Sequence, residues 1–203
     1  MSKITSIIIQ EKNKKRCNIY IDGDFFIGVP IELVYEYSLK VGKEIEQSFL
    51  QEITLKKDKA DALEKSVKYI SKSMKTKKQV KTYLVSKGYS EEVVKHCIDK
   101  LTEYGYINDK EYAKKYIETT SHGQGKNLIA YKLMMKGVSK DLINNEYDNL
   151  EIDSKNNAKA IAEKRLKNKE ITKELLAKTY RYLISKGFSY EDASFALESF
   201  KEN

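Results

Sequence analysis

The sequence predicts a mainly α-helical protein, in which a small N-terminal β-rich module is followed by three tandem three-helix repeats in an extended, curved array. Three observations support this fold class. Strand-like apolar runs occur only in the first fifty of the 203 residues. From Ser48 onward, apolar residues recur at helical spacing. A block of eight residues then returns twice at intervals close to 50 residues, which is typical of tandem supersecondary units.

Three short apolar runs near the N-terminus predict three β-strands, at residues 7–9, 17–21 and 25–29. Asp22-Gly23 lies between the second and third runs, and this dipeptide readily adopts the positive φ angles of a tight hairpin turn. We therefore expect a three-stranded sheet whose last two strands form a hairpin.

A short helix is predicted to follow the sheet, from Ile31 to about Leu39. Pro30 suits the first turn of such a helix, and Gly42 marks the end of the segment. The face expected to cover the sheet carries Ile31, Val34, Tyr35 and Leu39.

The repeated block occupies residues 83–90, 132–139 and 182–189, so its glycines Gly88, Gly137 and Gly187 lie 49 and 50 residues apart. In every copy leucine lies four positions before the glycine, lysine one before, an apolar residue one after and serine two after. Lysine in the last turn favours the negative end of the helix dipole, glycine then adopts the left-handed conformation, and serine caps the next helix. The block therefore predicts the corner between the second and third helices of each repeat.

Other local signals place the remaining helices. Thr76 and Gln79 have the spacing of a capping box at the start of the first repeat's middle helix. Asn108 is expected to cap the first helix of the second repeat. The side chains expected to face inward in the first repeat are Leu63, Val67, Ile70, Val80 and Leu84.

These signals divide the chain into a module at residues 1–47 and repeats at residues 48–106, 107–152 and 153–203. A unit of this size buries only about 60% of the surface of its extended chain. We therefore expect each repeat to pack on its neighbour, which gives an extended, curved array rather than one globule.

Lysine dominates the charge of the chain. The 38 basic and 30 acidic residues give a formal net charge of +8, and only Arg16, Arg165 and Arg181 are arginines. Arginine reads guanine edges and holds phosphate through two hydrogen bonds, whereas lysine acts as a mobile point charge. The composition therefore favours non-specific attraction to a polyanion or an acidic protein. No apolar run approaches the roughly 20 residues that cross a bilayer, so a soluble, cytoplasmic protein is expected.

The sequence offers little for catalysis. Cys17 and Cys97 lie far apart and form no known zinc spacing with His96 and His122, so each cysteine is expected to be a buried thiol. His96 and Cys97 are neighbours, but adjacent helical residues point about 100° apart and do not form a nucleophile pair. We therefore expect no enzymatic activity, no cofactor and no metal.

Two basic zones are candidate contacts to phosphate or to acidic protein residues, with an ordinary solvated helix face as the alternative. The densest comprises Lys75, Lys77, Lys78 and Lys81, at the start of the first repeat's middle helix. The second lies in the third repeat and comprises Arg165, Lys167, Lys169, Lys173 and Arg181. Tyr83, close to the first zone, is a candidate for base stacking or for core packing.

Gly123-Gln124-Gly125-Lys126 looks like part of a phosphate-binding loop. The positions that a P-loop fills with Gly and with Ser or Thr hold Thr120 and Asn127, however, and no strand precedes the loop. Two interpretations remain: a flexible loop with exposed amides that contact a partner, and a simple turn between helices.

Several segments, taken in order, resemble the regulatory protein RecX family over essentially the whole chain. They are residues 18–23, residues 101–109 with Tyr112-Ala113, the Gly123-Gln124-Gly125 loop and residues 186–189. The resemblance implies a non-enzymatic protein that binds the RecA recombinase, chiefly as a filament on single-stranded DNA, and lies in the filament groove. It implies modulation, most often inhibition, of filament extension, ATP hydrolysis, strand exchange and co-protease activity in DNA repair and the SOS response.

Two other functions fit the residues themselves. One is a DNA-binding protein that applies its three-helix units to duplex DNA, and scarce arginine speaks against it. The other is a helical-repeat scaffold for an unrelated protein. The net positive charge also suits non-specific contact with single- or double-stranded DNA, and a monomer is the simplest expectation.

Overall fold

The computed structural model describes residues 2–200, and within them it contains four strands and ten helices. The strands are β1 (Ser2–Ile9), β2 (Arg16–Ile21), β3 (Asp24–Pro30) and β4 (Glu44–Ile45). The helices are α1 (Ile31–Glu36), α2 (Gln47–Ile70), α3 (Lys77–Ser86), α4 (Glu91–Glu103), α5 (Asp109–Thr120), α6 (Lys126–Met135), α7 (Lys140–Asn149), α8 (Ser154–Leu166), α9 (Lys173–Ser185) and α10 (Tyr190–Glu198). The chain folds into two compact units. The first consists of the residues up to Lys72 together with Tyr83–Lys100, and the second consists of Ser73–Thr82 together with the residues from Leu101 onward.

The N-terminal strands form an antiparallel sheet in the order β3-β2-β1-β4. The three strands and the hairpin turn expected from the sequence are confirmed, and Asp22 and Gly23 have φ angles of 50° and 99°. The expectation of three strands is incomplete, because β4 pairs with β1 at Ser2 and Lys3. A two-residue strand has no apolar run of its own and therefore gives no sequence signal.

The helix after the sheet is shorter than expected. α1 ends at Glu36, and the chain turns at Ser38, whose φ is +47°. The predicted inner face is wrong at Tyr35, which is 74% exposed, while Leu33 is buried. Leu39 does reach the core, but only after the turn. The core of the module consists of Ile4, Ile19, Ile27, Val29, Leu33, Leu39, Ile45 and Ile53.

The long helix α2 serves two parts of the chain. Ile53 in its first half packs in the core of the sheet module, and the predicted boundary between residues 47 and 48 lies at the beginning of this helix. In its second half the buried residues are Ala62 and Ser66, whereas Val67, expected to face inward, is exposed. The Ser66 hydroxyl donates a 2.7 Å hydrogen bond to the Ala62 carbonyl, so a polar side chain is buried without an unpaired group.

Each of the three repeats contains three helices, as expected, and each middle helix ends at the predicted glycine. The φ angles of Gly88, Gly137 and Gly187 are +82°, +92° and +87°. In all three, the glycine amide donates to the carbonyl three residues earlier, and the next amide donates to the leucine carbonyl five residues earlier. This pair of bonds is the Schellman motif, which satisfies the last carbonyls of a helix.

The predicted helix caps are also confirmed. The hydroxyls of Ser90, Ser139 and Ser189 accept amide hydrogen bonds of 3.4, 3.3 and 3.0 Å from the residue three positions on. Asn108 caps α5 through the amides of Lys110 and Glu111. These caps fix where each helix begins, and with it which side chains of the helix enter the repeat core.

Candidate partner-binding surface

The first basic zone lies where the sequence places it, around the start of α3. Lys77, Lys78 and Lys81 are exposed on the helix. Lys75 precedes the helix, is half-buried and donates to the Ser73 hydroxyl. The Lys77 amide donates to Asp109 at 2.9 Å, so this carboxylate binds the N-terminus of α3.

Thr76 joins this zone to the second repeat. Its amide donates to the Gln79 side chain at 3.0 Å and its hydroxyl accepts from the Gln79 amide at 3.2 Å, which confirms the capping box. The same hydroxyl donates to the Lys136 carbonyl at 2.6 Å, sixty residues away. Beside it, the Lys78 ammonium donates to the Met135 carbonyl at 3.2 Å. The N-terminus of α3 therefore lies against the C-terminus of α6, where a lysine is favourable for the helix dipole.

A second junction of the same kind joins α6 to α9. The amides of Gly125 and Asn127 donate to the carbonyls of Lys186 and Gly187 at 2.9 and 3.1 Å. A Cβ atom on Gly125 would lie 2.3 Å from the carbonyl carbon and oxygen of Gly187. Two successive middle helices thus meet N-terminus to C-terminus, and only glycine fits at the contact.

Of the two interpretations of the glycine loop, this junction favours a turn between helices at Gly125. Two of the loop's amides, those of Gly123 and Gly125, donate to the carbonyls of Thr120 and Lys186, and so does the amide of Asn127, just after the loop, to Gly187. Gln124 accepts from Lys132 at 2.8 Å, and the Lys126 ammonium lies 3.3 Å from Asp148 and 5.0 Å from the centre of the Tyr147 ring. Gly123 is exposed. Contact of residues 123–126 with a partner stays a prediction.

The second basic zone is divided among several features of the third repeat. Arg165 is half-buried, with its guanidinium 4.3 Å from the centre of the Tyr182 ring, so it is not a freely moving phosphate clamp. Lys173 and Arg181 are exposed on α9. Lys167 and Lys169 lie in the loop between α8 and α9, beside an open hollow of about 650 Å³.

A lysine that sequence reasoning assigned only to the helix dipole lies over a tyrosine ring in every repeat. Lys87 is 5.6 Å from the centre of Tyr83, Lys136 is 6.0 Å from Tyr116, and Lys186 is 5.3 Å from Tyr182. In the first and third repeats the ring lies four residues earlier on the same helix, a spacing that could have been read from the sequence. In the second repeat the ring belongs to α5, and no local signal shows it.

Base stacking, one of the two roles that the sequence allows for Tyr83, is limited by the surroundings of its ring. Its ring is stacked on that of Tyr69, with the centroids 4.2 Å apart and the planes 7° from parallel. Since one face is covered by Tyr69 and Lys87 lies over the ring, a base would have to displace one of them.

The two longest stretches without an acidic residue are both rich in lysine. Residues 65–90 hold eight lysines, residues 119–140 hold four, and neither stretch contains Asp or Glu. The Thr76–Lys136 hydrogen bond joins the two. Lys68 and Lys126 are paired with Glu64 and Asp148 from outside these stretches. The excess of lysine within the stretches still creates a positive field that attracts polyanions and acidic proteins.

The cysteines and His96 lie in surroundings that suppress their reactivity. Burial raises the pKa of Cys97 to about 11 and also raises the pKa of Cys17. Burial, helped by Lys59 and Lys100, lowers the pKa of His96. Near neutral pH the thiols are therefore protonated and the imidazole is uncharged. Among residues 2–200 no three His, Cys, Asp or Glu side chains are grouped as metal ligands, and no helix is both long and apolar enough to span a bilayer.

A β-rich module followed by three capped three-helix repeats defines a protein built of helical repeats. Family comparisons match residues 2–46 to the regulatory protein RecX N-terminal domain, and residues 62–101, 108–145 and 153–197 to the first, second and third RecX three-helix domains. The chain therefore belongs to the RecX family of regulatory proteins, as its sequence suggests.

Individual relatives agree with this assignment. Regulatory protein RecX of Clostridium botulinum strain Alaska E43 is 37% identical over 196 residues, which cover 94% of this chain and 92% of the relative. That of Clostridium tetani is 38% identical, with 97% and 94% covered. A crystal structure of regulatory protein RecX superposes with a TM-score of 0.74 at 25% identity, with both chains fully covered. RecX from Lactobacillus salivarius, 24% identical, shares the fold with a TM-score of 0.63 over 72% of this chain and 98% of that one.

Proposed function

We propose that this protein binds the RecA recombinase and its filament on single-stranded DNA. It restrains filament growth, ATP hydrolysis, strand exchange and co-protease activity, and it catalyses no reaction of its own. Membership of a family of regulatory proteins supports a regulatory role. The observation that carries the proposal is the pair of acid-free, lysine-rich segments held together at Thr76 and Lys136.

The lysines supply attraction without sequence reading. Each is a point charge that can replace counterions on a phosphate backbone, so binding depends on salt more than on base sequence. The junction hydrogen bonds hold the start of α3 and the end of α6 in one geometry before binding. A preformed surface of this kind loses less conformational entropy when it meets its partner.

Restraint of the filament requires more than affinity. A ligand shifts an equilibrium between two states only through its different affinity for them. Contact with two adjacent RecA protomers selects the filament over free RecA, and restraint follows because the bound protein favours a capped or disassembling filament over one that can extend. The protein therefore acts on growing filaments at amounts below those of RecA itself.

The test is RecA ATP hydrolysis on single-stranded DNA while this protein is titrated in. We expect inhibition at a protein-to-RecA ratio well below one, since capping a filament end needs few molecules. An unchanged rate at equimolar protein would contradict the proposal and favour a scaffold for another protein. Binding to duplex DNA that depends on the DNA sequence would instead favour a duplex-binding function. In that case the logarithm of the affinity falls with the logarithm of the salt concentration, with a slope of about 0.9 for each phosphate neutralised.

A further inference from the structure

Helix α6 is apolar on its outward side as well as on its inward side. Ile129 and Leu133 are fully buried in the core of the second repeat. On the outside, Tyr131 is 57% exposed, Met134 43% and Met135 61%. Residues three and four apart lie on the same side of a helix, so these three side chains form one exposed patch. A surface helix normally carries polar residues there.

The flanking repeats lack this patch. When the middle helices are aligned on Leu84, Leu133 and Leu183, Tyr131 corresponds to Thr82 and Arg181, and Met135 corresponds to Ser86 and Ser185. The other two repeats form the same helix and the same Schellman turn with polar residues at these positions. Tyr131 and Met135 are therefore not required by the repeat fold. Met134 does not distinguish the second repeat from the other two, because its counterparts Val85 and Ile184 are also apolar.

The patch lies in the most positive part of the second repeat. Residues 119–140, which include all of α6, contain no carboxylate. The Lys78 ammonium, from the other acid-free stretch, donates to the carbonyl of Met135 itself. Asp109, which does lie near the start of α3, accepts from the Lys77 amide. An apolar patch bordered by lysines is complementary to a surface with apolar side chains and carboxylates.

We propose that the outward face of α6, defined by Tyr131 and Met135, docks an acidic segment of a partner protein that inserts apolar side chains between the two. The inference rests on the proposed function, in which that segment belongs to RecA. Methionine adapts its shape to an irregular apolar partner, and tyrosine is enriched where protein interfaces are most buried.

The outward face of α6 is better suited to a protein partner than to nucleic acid. Methionine offers no donor to a phosphate, and interfaces with nucleic acid are more polar and more hydrated than those with protein. The Lys78 ammonium, which reaches the patch at Met135, already donates to a backbone carbonyl. The α6 face therefore contacts the partner protein, while the exposed lysines on α3 supply the electrostatic attraction.

The test uses the residues of the first repeat as replacements. Tyr131→Thr combined with Met135→Ser gives α6 the side chains that α3 carries at the same positions, so the fold and the urea unfolding curve are expected to stay unchanged. Binding is measured to the RecA filament on single-stranded DNA and, separately, to the same DNA without RecA. We expect filament affinity to fall about tenfold or more, and affinity for bare DNA to change less than twofold.

Two charge variants test the acidity of the partner. Met135→Glu and Met135→Lys both remove the thioether, but an acidic partner repels the first and attracts the second. Filament affinity is therefore expected to be lower for Glu than for Lys. Val85→Ser and Tyr190→Thr remove similarly exposed apolar side chains from α3 and α10 and serve as controls expected to bind as the unaltered protein does.

The outcomes separate this inference from the function on which it rests. If the unaltered protein does not bind the filament, both fail. If it binds and the double variant binds equally well, the proposed function stands and the α6 face is excluded. Loss of bare-DNA affinity in the double variant would overturn the assignment by making this a nucleic-acid surface. Equal losses of filament affinity in Met135→Glu and Met135→Lys would contradict the proposal that the partner segment is acidic.

Discussion

Glycine meets two different physical requirements in this chain, and they have different consequences for substitution. Gly88, Gly137 and Gly187 occupy the left-handed region, which any L-residue with a Cβ adopts at a cost. Gly125 has an ordinary φ of −78° and is required for another reason. The backbone of Gly187 and Phe188 fills the space where a Cβ would lie, at 2.3 Å. The first requirement is readable from a local pattern, and the second is not.

Gly125→Ala is expected to destabilise the protein by about 1–3 kcal/mol, because the methyl group meets backbone atoms that cannot rotate away. The measurement is the free energy of unfolding in urea. Gly123→Ala is the matched control, since the nearest atom to its Cβ would be the Thr120 carbonyl oxygen at 4.0 Å. Its free energy of unfolding is expected to change by less than about 1 kcal/mol. Equal losses in the two variants would contradict the close contact.

The buried thiols make a second residue-scale prediction. Because burial raises the pKa of Cys97 to about 11, this side chain stays a protonated thiol at pH 8. A thiol reagent is expected to modify neither Cys17 nor Cys97 in the native protein at that pH, and both in denaturant. Rapid labelling of the native protein would show that the burial is wrong.

The same shift has a consequence at alkaline pH. A folded-state pKa above the ordinary 9.0 means that Cys97 contributes stability below pH 9, and that this contribution is lost as pH rises towards about 11. The free energy of unfolding of Cys97→Ala is therefore expected to fall less steeply across this window than that of the unaltered protein. Parallel curves would exclude a raised pKa.

At the scale of helices, Thr76 combines a local task with a distant one. As an N-cap it bonds the Gln79 amide, and through the same hydroxyl it bonds the carbonyl of Lys136. Thr172 caps α9 through the Leu175 amide, with no second bond from its hydroxyl among those described for residues 2–200. The two threonines therefore allow the junction to be measured apart from the cap.

Thr172→Ala is expected to cost about 1 kcal/mol of unfolding free energy, the typical effect of a lost N-cap. Thr76→Ala is expected to cost about 2–3 kcal/mol, because it also leaves the Lys136 carbonyl without its hydroxyl partner. Thr76→Ser keeps the hydroxyl and should recover most of the difference. Urea unfolding of the three variants checks this, and equal costs for the two alanine variants would mean that the junction adds nothing.

The helices also show how far sequence reasoning reaches. Caps and glycine turns are decided by residues within five positions of one another, so Asn108, Ser189 and the Thr76–Gln79 box were predictable. The inner face of α2 was only partly predictable. Ala62 and Ser66 are buried, whereas Val67, which is more hydrophobic than either, is exposed. The Thr76–Lys136 and Gly125–Lys186 bonds connect residues 60 and 61 positions apart. No periodicity in the sequence encodes such pairs, and the choice between the two interpretations of the glycine loop depends on one of them.

Across the whole chain, the distribution of charge decides more than its sum. A net charge of +8 describes the protein wherever its lysines lie, but the eight lysines of residues 65–90 have no acidic residue in their own segment. One of these eight, Lys68, lies 2.6 Å from Glu64 just before the segment, so part of its field is cancelled, as is that of Lys95, which lies 2.6 Å from Asp99. If the proposed function holds, location rather than total charge governs filament binding.

A pair of equally charged variants tests this. Glutamate at Lys75, Lys77, Lys78 and Lys81 changes the net charge from +8 to 0, and glutamate at Lys12, Lys14, Lys15 and Lys40 does the same in exposed parts of the N-terminal module. The first variant is expected to lose most of its filament affinity at low salt, with a smaller slope of log affinity against log salt, because the slope counts the phosphates neutralised. The second is expected to keep that slope and lose only the modest long-range attraction that salt screens. Identical binding by the two variants would show that the filament responds to total charge and that the first basic zone is an ordinary solvated face.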